Sequence, residues 1–174
     1  MILGIRGPHP IDQNGEDKKN FFSILYFVSC PQDLPVSIFL FIVIDGIDWS
    51  GKGTQLNQLV TRLESEGKRV MTLDFPRYEE PSSFFVQKYL NGGYGQDVSA
   101  KASSLFYALD RFDATRGREK EFANHDFILS NRYVSASMIH QWGKIFDRQK
   151  RAEFLSWLHE LEFEILGIPQ PDLV

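Results

Sequence analysis

The sequence predicts one three-layer α/β/α domain built on a parallel sheet, and three observations predict it. Short apolar, β-rich runs recur at Ile38–Ile44, Val70–Phe75 and Phe127–Ser130. Between them lie stretches whose apolar residues return at helical spacing. The connections are short, and strand–helix alternation of that kind calls for parallel strands joined by crossover helices. With 174 residues, 43% apolar and 24% charged, the chain has the length and composition for one such core.

The first run leads into Asp45-Gly46-Ile47-Asp48-Trp49-Ser50-Gly51-Lys52-Gly53-Thr54-Gln55. Beyond it Leu56, Leu59, Val60 and Leu63 fall at i, i+3, i+4 and i+7, one face of a helix. The order is therefore strand, glycine loop carrying one lysine, helix. Glycines let backbone N–H groups turn inward without Cβ clashes. A nest of such groups at a helix N-terminus suits phosphate oxygens, and a lysine adds a mobile charge that can follow the outer phosphates. Gly46-x-x-x-x-Gly51-Lys52 has the spacing of a P-loop, so the expected class is a P-loop NTPase fold. Gly53 stands where a Mg²⁺-binding Ser or Thr usually follows the lysine, and Thr54 comes one place late.

The remaining elements follow in order. The first helix is expected to run to about Glu66 and to stop at Gly67. Val70–Phe75 ends at Pro76, which cannot donate to a ladder, so Arg77 and Tyr78 project from a strand's C-terminal end. Open parallel sheets bind ligands at that edge. Pro81-Ser82-Ser83 opens a short helix stopped near Gly92. Ser99 caps the next helix, with Leu105, Leu109 and Phe112 expected to form its inward face. Tyr107, Asp110 and Arg111 lie off that face. An aromatic and an arginine four apart can hold a base by stacking and hydrogen bonding. Thr115–His125 reads as a helix end and loop. Arg132, after the third strand, faces the same edge as the phosphate loop. Ser135–Lys144 is expected to be helical, carrying Ser137, His140 and Gln141. Arg148–Leu166 is expected to be one amphipathic helix with Leu155, Leu158, Leu161 and Ile165 inward. Pro171–Val174 begins a fourth strand.

Two domains are expected: a leader, residues 1–36, and a partial kinase-like domain, residues 37–174. The leader opens on a loose polar tail, Met1–Lys19, and holds the apolar run Phe21–Ser29. That run resembles the charged and apolar parts of a signal peptide, with Cys30 as a lipid-attachment candidate. It is short against the ~20 residues of a membrane span. A mis-started or non-native leader, or an extra element packed on the domain, are the other readings. The phosphate loop implies a cytoplasmic ATP pool and no membrane partner. A net charge of −4 argues against non-specific nucleic-acid binding. The single cysteine excludes an internal disulfide, and the four histidines show no zinc-ligand pairing.

Together the segments DGIDWSGKGTQ (45–55), DFPRY (74–78), PSSFFVQKYLNGGYG (81–95), SLFYALDR (104–111), NRYVSASMIHQ (131–141) and GIPQPDLV (167–174) resemble the thymidylate kinases, a family of P-loop nucleoside-monophosphate kinases. The resemblance implies ATP-dependent phosphorylation of dTMP to dTDP, with Mg²⁺. It implies that Gly46, Ile47, Asp48, Trp49, Ser50, Gly51, Lys52, Gly53 and Thr54 hold the ATP phosphates, Lys52 stabilising the transferred group. Asp48 would meet the acceptor's 3′-hydroxyl and the metal region. Phe75 and Pro76 would line the acceptor pocket, with Arg77 on its phosphate side. Tyr107 would stack on thymine, Arg111 would touch the base edge, and Arg132 would clamp the acceptor phosphate. Ser137, His140 and Gln141 would line the base and sugar end. A homodimer using the apolar faces near Leu105 and Leu155 is also implied. Trp49 and Asn131 depart from the family's small loop residue and acidic residue. The family also carries a lid and a last strand and helix after the point where this chain ends. Other readings stay open: another nucleoside-monophosphate or deoxynucleoside kinase, since GKGT also occurs in adenylate kinases, or an inactive nucleotide-binding chain.

Overall fold

The computed structural model describes residues 39–174; the leader expectations for 1–36 lie outside the described residues. Three five-residue strands form one parallel sheet: β1 (Leu40–Ile44), β2 (Val70–Asp74) and β3 (Phe127–Asn131), in the order β1-β3-β2. β3 takes the centre and is the strand buried on both faces; Ile128, Leu129 and Ser130 are all buried. β1 and β2 alternate buried and accessible residues, as flanking strands do. At the far side of β1, Leu173 bridges in parallel to Ile42, and Val43 N–H donates to the Leu173 carbonyl (2.8 Å). The expected start of a fourth strand is therefore present.

The register brings the site together. Ile44 and Asp74 both stand opposite Asn131, so the three strands end level. The phosphate loop, the Phe75-Pro76-Arg77 turn and Arg132 all leave the sheet from one edge.

α1 (Lys52–Ser65) packs on β2 and β3. It ends with Gly67 at φ 75, whose N–H donates to Glu64, while Lys68 N–H donates to Leu63. This is a paired C-terminal cap that needs a left-handed residue, which glycine adopts without strain. A 3₁₀ turn (Pro81–Ser83) leads into α2 (Phe84–Leu90). α3 (Ala100–Thr115) is capped by Ser99, whose side chain accepts from Ala102 N–H (3.2 Å). A short α4 (Glu119–Ala123) occupies the stretch expected to be a helix end and loop, closed by Arg118 pairing with Glu121. α5 (Val134–Trp142) and α6 (Arg148–His159) complete the helices, and α6 runs into a π-helical turn (Glu160–Ile165).

Two expectations about helix faces are corrected. On α3 the inward face is Ser103, Ser104, Ala108, Asp110, Arg111 and Ala114; Leu105 and Leu109 are 40% and 44% exposed. The polar side turns inward because Ser103, Asp110 and Arg111 find partners on α5, on the turn after β2 and on the π turn, which periodicity does not record. Beyond α6, Phe154, Leu158 and Glu162 turn inward, whereas Ile165 is 67% exposed. The wider turn, seen in the Leu166 N–H to Leu161 carbonyl bond (2.9 Å), shifts the phase that a continuous α-helix would have kept. The core gathers Phe41, Val43, Met71, Leu73, Phe75, Phe122, Ile128, Tyr133, Phe154 and Leu158 around the sheet.

The entry to the sheet is tied by charge. Asp126, before β3, accepts from Arg69 N–H (2.8 Å) and from the Arg69 guanidinium (2.8 and 3.3 Å) before β2. The guanidinium's hydrogen bond, more than any other contact, holds the Asp126 carboxyl down to about 2. A carboxyl whose folded value lies below its ordinary value of about 3.9 contributes stability above that value and loses it as the pH falls toward 2. Thermal unfolding followed from pH 5 to pH 2 should therefore fall less steeply for Asp126→Asn than for the parent, the two curves converging at the acid end. Parallel curves would deny the ion pair its role.

Candidate functional site: the phosphate loop and the C-terminal edge of the sheet

The loop begins where β1 ends. Asp45 accepts from Gly46 N–H (2.8 Å) through one carboxylate oxygen and from the Ser135 hydroxyl (2.7 Å) through the other. It thereby ties the loop to the start of α5. Gly46 (φ 151) and Gly51 (φ 84) make the turns. A Cβ on Gly46 would meet Ser50 Oγ at 3.4 Å and Lys52 Cδ at 3.8 Å, so the closeness is to the loop's own side chains. Trp49 adopts φ 65, a left-handed conformation that favours glycine, and its indole lies fully exposed. The departure from a small loop residue therefore puts its bulk in solvent.

Gly51 caps α1 without a side-chain hydrogen bond, and no acid lies in the first turn. The first N–H groups of α1 therefore have no side-chain acceptor, and the helix dipole adds positive potential there. Lys52 Nζ donates to the Ile47 carbonyl (2.6 Å), which folds the ammonium over the loop. Backbone donors, one lysine and a helix terminus converge on a volume suited to phosphate oxygens.

Arg132 forms the opposite wall. Its φ of 63 turns the chain sharply at the end of β3, and its N–H donates to the Ile44 carbonyl (3.0 Å). Its guanidinium pairs through Nη2 with Asp48 of the loop and donates through Nη1 to His140 Nε2 (3.1 Å) on α5. That bond requires His140 Nε2 to be the acceptor nitrogen. Three residues predicted for the site, from the phosphate loop and from the segment 131–141, thus meet at one guanidinium.

Other predicted residues are placed differently. Arg77 donates from its backbone N–H and Nε to Asp110 (2.8 and 3.1 Å) and from Nη2 to Asp113 (2.6 Å) and Ser82 (2.7 Å). It stands at the expected edge but is engaged by two carboxylates. The Phe75–Pro76 peptide is cis; the Phe75 ring is buried against Tyr133, which leaves Pro76 as the more accessible of the pair. Gln141 is buried and accepts from Ser103 of α3 (2.7 Å), while Lys144 contacts both Tyr89 and Ser103. Tyr107 is half-buried, edge-on to Tyr89 at 6.4 Å. Burial above all, with Tyr89 and Tyr78 nearby, pushes its phenol up to about 12, against the pull of Arg132 and Arg111. Its ring therefore remains neutral in the field of both arginines.

Arg111 is buried. It pairs with Glu162 through Nε (2.8 Å) and Nη2, and donates to Ser137 Oγ (3.1 Å) and the Tyr133 carbonyl (3.3 Å). Asp45, Asp110 and Glu162 are site-forming residues that sequence reasoning missed. Glu162 left one trace, its place four residues after Leu158 and eight after Phe154, and a buried carboxylate at a core position is not what that spacing ordinarily means.

Among the described residues no group of three or more His, Cys, Asp or Glu side chains is placed to hold a metal ion. The donors that exist suit Mg²⁺ held mainly by phosphates and water, which needs only one or two carboxylates. Asp48 is an exposed loop carboxylate. Asp74 and Asn131 sit level at the strand ends, Asn131 Nδ2 donating to Asp74 Oδ1 (2.8 Å). Burial pushes the Asp74 carboxyl up despite that bond and the nearby Arg132.

These features define a protein of the P-loop class, with a loop geometry suited to phosphate oxygens. A family description for thymidylate kinase matches residues 44–174, and the chain belongs to the thymidylate kinase family. Thymidylate kinase of Mycobacterium tuberculosis is 28% identical over 135 residues, covering 76% of this chain and 63% of that protein. A probable thymidylate kinase of Thermococcus gammatolerans is 30% identical over 142 residues, covering 78% and 63%. Human thymidylate kinase is 26% identical over 133 residues, covering 76% and 58%. The solved thymidylate kinase of Candida albicans superposes with a TM-score of 0.60 at 24% identity, over 78% of this chain and 60% of that one. That of Ehrlichia chaffeensis gives 0.55 at 19%, over 76% and 72%. The chain thus spans about 63% of the curated relatives it first matches. No described helix is long and apolar enough to cross a membrane.

Proposed function

We propose that the chain belongs to an ATP-dependent kinase that transfers a phosphoryl group to dTMP, giving dTDP in the cytoplasm. The observation that carries the reading is Arg132 in contact with both Asp48 of the phosphate loop and His140 of α5. It joins the donor-phosphate side to the acceptor side at one guanidinium. Phosphoryl transfer depends on positioning and charge neutralisation rather than on covalent help from the protein.

In this reading the N–H groups at Gly51–Thr54 and the Lys52 ammonium hold the ATP phosphates, Lys52 exchanging the Ile47 carbonyl for phosphate oxygen. Arg132 exchanges Asp48 for the acceptor phosphate, since a planar fork suits phosphate better than a point charge does. Asp48, so released, faces the acceptor sugar and the metal region. Asp48 and the Asp74–Asn131 pair are the residues that would hold Mg²⁺ through water, and the ion would supply charge neutralisation on the transferred phosphates. Tyr107 stacks on the base, and His140 fills space beside the sugar. Arg77, held by Asp110 and Asp113, keeps the Pro76 turn in place. A homodimer is the expected assembly, with the outward Leu105 and Leu109 supplying apolar surface for it.

The test is thermal unfolding with Mg²⁺ and dTMP, AMP or ATP added separately. A ligand at 100 times its dissociation constant adds about 2.7 kcal/mol to stability. dTMP should raise the transition more than AMP does, and Tyr107→Ala should abolish most of the dTMP shift. A larger shift with AMP would overturn the substrate, and an unchanged dTMP shift in Tyr107→Ala would overturn the stacking role.

A further inference from the structure

Arg132 holds a backbone conformation that a residue with a side chain adopts only at a cost. Its φ of 63 lies in the left-handed region, and such a residue persists where its surroundings over-determine it. Its N–H donates to the Ile44 carbonyl (3.0 Å), and its own carbonyl accepts from the Ser130 hydroxyl (2.6 Å). Three residues on, the Ser135 hydroxyl donates to Asp45 Oδ2 (2.7 Å), while Asp45 Oδ1 accepts from Gly46 N–H (2.8 Å). Ile44 and Asp45 are neighbours, so the end of β1 holds the chain at Arg132 and again at Ser135. Ser135 is 8% exposed and stands in the first turn of α5, which has no acid of its own. Asp45 supplies a carboxylate there from another element, where the helix dipole favours it. The phosphate loop also reaches Arg132 through Asp48, but the Asp48 side chain is 66% exposed. In the proposed transfer the guanidinium leaves Asp48 for the acceptor phosphate. The Asp45–Ser135 bond uses no group that either nucleotide takes.

We propose that the Asp45–Ser135 bond is the link that fixes the phosphate loop to α5 while both nucleotides are bound. Asp45 and Ser135 are positioning residues. They act through Gly46 on the donor side and through the Arg132 turn on the acceptor side. The inference rests on the proposed phosphoryl transfer and adds what keeps its two halves in register. Transfer needs the reacting groups at a fixed separation, and a displacement of about 1 Å costs up to about 10²-fold in rate. Each nucleotide can bind its own half of the site without the link, whereas transfer between them depends on it.

The experiment measures kcat at saturating ATP, Mg²⁺ and dTMP, and the dissociation constant of each nucleotide alone. The proteins are the full chain, Ser135→Ala, Asp45→Ala and Asp45→Asn. Ser135→Ala should lower kcat by about tenfold to 10²-fold and leave both dissociation constants within about twofold of the parent. Asp45→Ala, which removes both bonds, should lower kcat at least as far. Asp45→Asn should recover most of that loss, since its amide oxygen can accept from Gly46 N–H and its amide N–H can donate to the Ser135 oxygen. A bond with only a structural role would shift unfolding without a loss in kcat, or weaken both nucleotides along with it. Either result overturns the proposal while the kinase reading stands. An Asp45→Asn protein as slow as Asp45→Ala overturns it too, because the charge and not the link would then carry the effect. If Asp45→Ala fails to fold, Ser135→Ala decides, alanine being the strongest helix former at a helical position. A parent that transfers no phosphoryl group to dTMP overturns the functional reading and this inference with it.

Discussion

Phosphoryl transfer by an Arg132→Ala variant should fall by about 10³-fold in kcat/KM, the lower end of what an arginine on a transferring phosphate contributes. Arg132 is the residue through which the loop, the end of β3 and α5 touch. In the proposed function, removing it takes away the fork that would hold the acceptor phosphate near Lys52, and it releases both Asp48 and His140 from the guanidinium. Its side chain is near the surface, so the unfolding transition should move little. Arg132→Lys should recover only a small part of the loss, because an ammonium cannot meet two phosphate oxygens in one plane. The readout is ADP released at limiting dTMP. A loss below tenfold would remove Arg132 from the transfer point.

The largest effect on stability is expected at the other arginine. Arg111→Leu should lower unfolding free energy by about 3–5 kcal/mol, because it leaves the Glu162 carboxylate buried without its cation. That is a large share of the 5–15 kcal/mol that ordinarily holds a domain folded. The paired change Arg111→Met with Glu162→Leu should bring stability back to within about 1 kcal/mol of the parent, since neither charge is then desolvated. Urea unfolding of the three proteins decides it. A double variant as unstable as Arg111→Leu would mean that the pair itself, and not the orphaned charge, holds α3 to the π turn.

Arg132 and Arg111 divide what is local in the sequence from what is not. The phosphate loop was legible because its chemistry is local: glycine spacing, a lysine and a following helix lie within eleven residues, and backbone geometry follows from them. The strand ends were legible for a similar reason. Pro76 and the short run Phe127–Ser130 mark where chains leave a sheet, which puts Arg77 and Arg132 at its edge. The helix stop at Gly67 and the cap at Ser99 are also local devices, and both are present.

What the tertiary structure decided is pairing. Strand order depends on which apolar run is buried on both faces, and only packing placed β3 between β1 and β2. The inward face of α3 went against its leucines because Ser103, Asp110 and Arg111 each meet a partner far along the chain: Gln141, Arg77 and Glu162. A polar residue reads as outward unless its partner is known, and the partner of Arg111 is fifty-one positions away. The sequence by itself determined the phosphate loop, the edge where the site forms and the family. The three-dimensional arrangement decided which charges meet there, because burial of a polar group is favourable only when a distant residue satisfies it, and no local pattern records that.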